Sequence, residues 1–133
     1  VKTLHPKVHG GILADKDIPE HLETLKEHDI QPFDLICVNL YDFASCAAKN
    51  PTLKEAVEQI DIGGPTMLRA SAKNYHSILV APDPAEYPAI MEDLKANGGK
   101  ASLDLRRKMA VKTFAATSRY DNMISSYLAE GSE

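Results

Sequence analysis

Apolar positions recur along this chain with two different spacings. Over residues 19–28, Leu22 and Leu25 share one side behind a Pro19 suited to a first turn, which predicts a helix. Over residues 33–41 the apolar run Leu35-Ile36-Cys37-Val38 is continuous, as in a strand buried on both faces of a parallel sheet. From Leu53 the spacing turns helical again through Ala56, Val57 and Ile60, with Asn50 as the cap and Pro51 in the first position. Gly63-Gly64 predicts the end of that helix, and a short one follows over residues 65–73. Residues 77–81 (SILVA) predict a second buried strand. Asp83 as cap, with Glu86 three residues on, starts a helix that should end at Gly98-Gly99. Residues 103–128 predict a long helix, with Ser118 the place for a break. The opening residues 1–14 hold Pro6, Gly10-Gly11 and two histidines, and predict a loop with a short strand at Ile12-Leu13.

This order of elements is α/β. Two parallel strands make a poor sheet, and exposed edges invite pairing. The expectation is therefore a parallel sheet with flanking helices whose N-terminal strands lie upstream of Val1, so that the sheet looks incomplete or is completed by another chain. A first residue other than Met fits the same expectation of an interior piece.

Composition narrows the function classes. The 133 residues suffice for one compact domain, and a net charge of −4 speaks against a general nucleic-acid surface. No apolar run approaches the roughly 20 residues of a membrane span, and no signal peptide opens the chain. Cys37 and Cys46 have no metal-type spacing; Cys37, inside an apolar run, is expected to be a buried free thiol, which suits a reducing cytoplasm.

Candidate chemistry gathers in IDIGGPTMLRASAKN, residues 60–74. Gly63 and Gly64 permit close backbone approach to a ligand, and the free N–H groups of the helix that follows would face it. Asp61 precedes the turn, while Arg69 and Lys73, four apart, share a helix face. One small region could then offer a carboxylate, backbone donors and cations; a plain turn into a solvated helix explains the same stretch about as well. At the end of the first strand Asn39 and Tyr41 share one parity and lean to the same side. Lys2 and Thr3 add a cation and a hydroxyl. His5 and His9 are four apart, but Pro6 and Gly10-Gly11 argue against the helix a zinc pair would need, so no metal site is expected.

Four blocks in order, KTLHPKVHGGIL, DLICVNLY, IDIGGPTMLRASAKN and SRYDNMISSYL, resemble the IMP cyclohydrolase domain of the bifunctional AICAR transformylase/IMP cyclohydrolase family. The likeness covers nearly all of the chain. It implies a methylglyoxal-synthase-like α/β fold and closure of the purine ring of FAICAR to IMP with loss of water, in the cytoplasm. It implies no metal or organic cofactor for this step; a folate formyl donor belongs only to the transformylase domain. Matched residue by residue, the resemblance implies catalytic roles for Lys2, Tyr41, Asp61 and Lys73. It implies substrate contacts from Thr3, Asn39, Gly63, Gly64, Arg69 and Asn74.

The same resemblance implies that residues 1–133 are a single partial cyclohydrolase domain. An upstream phosphate-binding segment and a downstream transformylase domain would belong to the parent protein, a homodimer. Where the family commonly has proline after NLY, Asp42 stands here, which is expected to loosen the loop that carries Tyr41 or add charge near an anionic nucleotide. Two other readings stay open: a methylglyoxal-synthase-like phosphate lyase, and a catalytically incomplete nucleotide-binding or assembly fragment.

Overall fold

The computed structural model describes residues 2–131; Val1, Ser132 and Glu133 lie outside the described residues. Two strands, β1 (Leu35–Cys37) and β2 (Leu79–Ala81), pair in parallel with Leu35 opposite Leu79, Ile36 opposite Val80 and Cys37 opposite Ala81. Around them lie α1 (Pro6–Leu13), α2 (Pro19–Glu27), α3 (Phe43–Ala47), α4 (Leu53–Glu58), α5 (Gly63–Lys73), α6 (Tyr87–Ala96) and α7 (Leu103–Glu130). A 3-10 turn at Pro84–Glu86, capped by Asp83, leads into α6.

The core forms where α5 and α7 meet β2. Leu68 and Ala72 of α5, all of β2, Ile90 of α6, and Leu105, Met109 and Ala110 of α7 are buried together. On the other side of α5, Ile12 of α1 packs with Ala70 and Ile78. A third cluster joins Phe43, Ala56 and Tyr120, with the Tyr127 ring edge-on to Phe43 at 5.4 Å. α7 runs unbroken past Ser118 because its buried positions, Leu105, Met109, Ala110, Thr113, Thr117 and Tyr120, keep helical spacing and neither proline nor glycine intervenes before Gly131. Its buried threonines stay satisfied: the Thr113 hydroxyl donates to the Met109 carbonyl at 2.8 Å.

Several expectations need correction. Residues 6–13 are helical, not a loop with a strand. Pro6 sits in the first turn, where it loses no hydrogen bond, and the His5 side chain caps the helix by accepting from the Lys7 amide at 3.1 Å. Gly10-Gly11 does not break α1 but lets the chain cross it: a Cβ on Gly11 would lie 2.3 Å from the Gln31 carbonyl oxygen. Thr52, not Asn50, caps α4, in a reciprocal capping box with Glu55, while Asn50 takes a left-handed φ of 51°. Gly63-Gly64 opens α5 instead of ending α4.

β2 is fully buried, but β1 is not. Leu35 is 47% exposed and Cys37 is exposed, so Cys37 is not the buried thiol its apolar neighbours suggest. Among the described residues only one edge of β1 is paired, and α6 leaves beside it an open apolar groove lined by Leu35, Cys37, Tyr87 and Met91. Within the described residues the sheet has two strands, as the scarcity of strand patterns predicts.

Candidate active site

The N-terminal end of α5 meets the chain that leaves β1 beyond the carboxyl end of that strand, the end at which ligands gather in parallel α/β sheets. Asp61 lies at the centre. Its side chain is 1% exposed and accepts from three donors. The Gly64 amide donates to Oδ1 at 2.8 Å, the Tyr41 amide donates to Oδ2 at 3.2 Å, and the Lys2 ammonium pairs with Oδ2. Lys2 also donates to the Asn39 carbonyl, and its Nζ stands 4.5 Å from the centroid of the Tyr41 ring. A buried carboxylate needs this many donors, because an unpaired charge out of water costs several kcal/mol.

The glycine pair exists for this packing. A Cβ on Gly64 would lie 2.4 Å from Asp61 Oδ2 and 2.7 Å from Lys2 Nζ, and one on Gly63 would lie 2.7 Å from the Lys2 carbonyl. The close approach is therefore to the chain's own Lys2 and Asp61. The first-turn donors are not free for a ligand as the sequence suggests: Asp61 takes the Gly64 N–H, and Pro65 has none.

The predicted site residues separate into two groups. Lys2, Asn39, Tyr41, Asp61, Gly63 and Gly64 come together, with Thr3 beside them. Thr3 is committed to the local turn, its hydroxyl accepting from the His5 amide at 2.9 Å. Asn39 contributes its main-chain carbonyl. Arg69 and Lys73 do not join this cluster. Nine residues of helix separate Lys73 from Gly64, about 14 Å along the axis, so the single compact region expected from the sequence is not formed within this chain. Both are exposed and line a cavity with Thr66, Ala70 and Phe114, where the Arg69 guanidinium lies 5.4 Å from the Phe114 ring centroid. Asn74 is likewise elsewhere: buried at the end of α5, its amide donates to the Ile12 and Ala14 carbonyls, each at 2.8 Å, and so fastens α1 to α5.

Asp42 caps α3, its carboxylate accepting from the Ser45 hydroxyl at 2.5 Å and the Ser45 amide at 3.0 Å. Those two bonds hold the Asp42 carboxyl below the usual carboxylate range. His9 stands on a helix after all, with Nε2 3.2 Å from the Thr3 carbonyl. Among the described residues no group of three His, Cys, Asp or Glu side chains is placed to hold a metal ion.

One residue escaped the sequence reading. Tyr120 of α7 is 5% exposed, and its hydroxyl accepts from the Asp61 amide at 2.8 Å. Burial pushes the phenol up from its ordinary range, and the adjacent Asp61 charge adds to the rise. The only signal available was a tyrosine falling on the buried stripe of the last helix, where its hydroxyl would need a partner.

Fold and site together define an MGS-like domain. Residues 1–66 match the MGS-like domain family. Residues 71–133 match the AICARFT/IMPCHase bienzyme family. The chain is 52% identical over its whole length to the bifunctional purine biosynthesis protein PurH of Neisseria meningitidis serogroup A / serotype 4A (strain DSM 15465 / Z2491), and spans 25% of that protein. A solved structure described as the crystal structure of ForH superposes with a TM-score of 0.77 at 30% identity, over 95% of this chain and 66% of that one. No helix among the described residues is long and apolar enough to cross a membrane.

Proposed function

We propose that this chain supplies the catalytic crevice for purine ring closure, the dehydrative cyclisation of FAICAR to IMP in purine biosynthesis. The observation that carries this reading is the buried Lys2–Asp61 pair beside Tyr41, at the carboxyl end of β1 and the start of α5. It is supported by the whole-chain likeness to PurH.

Ring closure forms a bond between the carboxamide nitrogen of FAICAR and its formyl carbon. The nitrogen loses a proton as that bond forms, which calls for a base. The formyl oxygen gathers negative charge, which calls for positioned donors, and then leaves as water, carrying the proton from the carboxamide nitrogen and a second from the formamide nitrogen, both delivered through an acid. In our assignment Asp61 accepts from the carboxamide and serves as base. Lys2 stabilises the developing oxyanion, and Tyr41 orients or donates in the same network. Lys2 is paired with Asp61 in the absence of substrate, so binding must exchange this contact for contacts to the reacting atoms.

Lys73, Arg69 and Asn74 keep their place in the proposal only as residues carried by the resemblance. Lys73 would act through a ligand, or a second polypeptide, that reaches along α5. We assign no cofactor to this step; a folate formyl donor would serve the transformylase step of a whole bifunctional protein, which we expect to be a cytoplasmic homodimer.

The test is to incubate the chain with FAICAR and follow IMP formation above the uncatalysed rate, with circular dichroism to establish folding. Asp61→Ala should lower turnover more than apparent affinity. A folded wild-type chain that binds nucleotide without turning it over would favour an incomplete binding fragment. Turnover of dihydroxyacetone phosphate instead would favour a phosphate lyase.

A further inference from the structure

We propose that Tyr120 is a positioning residue that holds Asp61 in its working orientation from beneath the site. The proposal deepens the reading above and rests on it for its kinetic arm. Asp61 precedes α5 in a segment with no helical hydrogen bond to fix its own amide. That amide is instead taken by the Tyr120 hydroxyl at 2.8 Å, in a buried position. The hydroxyl oxygen also lies 3.5 Å from the Gln59 carbonyl, a long contact on the other side of the same short segment. Tyr120 therefore holds this segment at Asp61 through its acceptor oxygen.

The rest of the geometry makes the grip consequential. Asp61 uses both carboxylate oxygens at once, toward Gly64 on one side and toward Tyr41 and Lys2 on the other. A rotation of the Asp61 backbone would break all three contacts together. Tyr120 cannot follow such a rotation, because its ring is packed with Phe43 and Ala56, and its backbone lies within α7, which also carries the main core. A hydroxyl on a rigid helix thus fixes the aim of a carboxylate on a loop. Phenylalanine would fill the same space and supply hydrophobic burial equally well, so packing alone does not account for the oxygen.

The experiment compares wild type with Tyr120→Phe in the native full-length polypeptide, at a temperature where circular dichroism shows both folded. For ring closure of FAICAR, kcat should fall about tenfold or more, because a small misplacement of a reacting group has effects of this size. KM should change by less than about twofold, as expected for a group that aims the carboxylate without touching substrate. In parallel, NMR follows exchange of the Asp61 amide and the Asp61 carboxyl carbon signal. The wild-type amide should exchange slowly, and Tyr120→Phe should speed it and move the carboxyl signal. An unchanged kcat in the variant of an active enzyme overturns the proposal, even if thermal stability drops. If wild type does not turn over FAICAR, the reading of function fails instead, and the NMR arm decides the positioning role; unchanged Asp61 signals then overturn it. If the variant does not fold, the wild-type amide alone decides: exchange as fast as that of an exposed loop amide overturns the proposal.

Discussion

The two ends of α5 solve opposite problems with similar residue types. At the N-terminal end a carboxylate and an ammonium are held together, one almost without solvent contact, and the helix begins with glycines so that both fit. At the C-terminal end, Arg69 and Lys73 stand in solvent beside Phe114, and the polar side chains drawn inward, Ser71 and Asn74, are neutral. The first arrangement is over-determined: each member has more than one partner there, and removing one weakens several contacts in a site with little water. The second is permissive, since exposed cations lose little when a neighbour changes. We place the proposed chemistry at the first end because that chemistry depends on fixed geometry.

The contrast breaks most sharply at Gly64. Gly64→Ala should destabilise the fold by about 3 kcal/mol, because the new methyl would press on Asp61 and Lys2, which have no room to withdraw together. Denaturant unfolding checks this. A loss under about 1 kcal/mol would mean that the Lys2–Asp61 pair gives way easily and that the N-terminal end is as permissive as the other. Asn74→Ala comes next, at about 2 kcal/mol, since it strips two buried carbonyls of their donor. Its effect should fall on stability and on the docking of α1.

The same contrast explains what could be read from the sequence. The fold class was legible because continuous apolar runs and helical spacing survive in any context, as Leu35–Cys37 and the stripe of α7 illustrate. Asp61, Lys2 and Tyr41 were legible as a group only through four blocks in order. What failed was the meaning of Gly-Gly. At residues 10–11 and 63–64 the pair reads as a helix stop, yet each lies inside a helix at a place where another part of the same chain passes too close for a Cβ. Local propensity penalises glycine in a helix by about 1 kcal/mol, and a long-range contact overrides it. Tyr120 and Asn74 were hidden for the same reason, since their partners lie roughly sixty residues away in sequence. Lys73 stands apart from Asp61 because a short stretch of sequence, once wound into a helix, puts its two ends on different surfaces.

Alkaline titration sharpens the first end with a smaller effect. The unfolded Tyr120 phenol ionises near 10, while the folded one, raised by burial, stays neutral to higher pH. The stability contributed by the neutral buried phenol is therefore complete below the unfolded value and is lost as pH rises through the folded one. Unfolding free energies across pH 8 to about 11 should fall more steeply for wild type than for Tyr120→Phe. Parallel slopes would place the phenol in contact with water and weaken the account of Tyr120 as a buried anchor.

The smallest effect, and the most discriminating, is an additivity test between the two ends. Lys73→Ala alone should change stability by less than about 0.5 kcal/mol, as for an exposed side chain without a fixed partner. Combined with Asp61→Asn, the two changes should add within about 0.5 kcal/mol, because groups this far apart share no contact. Lys2→Ala combined with Asp61→Asn should not add: once either charge is gone, removing the other costs less, since each variant alone leaves its former partner unpaired. The coupling should be on the order of 1 kcal/mol, reduced from that of a fully buried pair because the Lys2 side chain keeps 21% of its exposure. Equal coupling of Asp61 to both lysines would contradict the separation described here and put all three groups into one site. Coupling to Lys2 alone in stability, together with loss of turnover in Lys73→Ala, would mean that Lys73 meets the Asp61 site only through what is bound there.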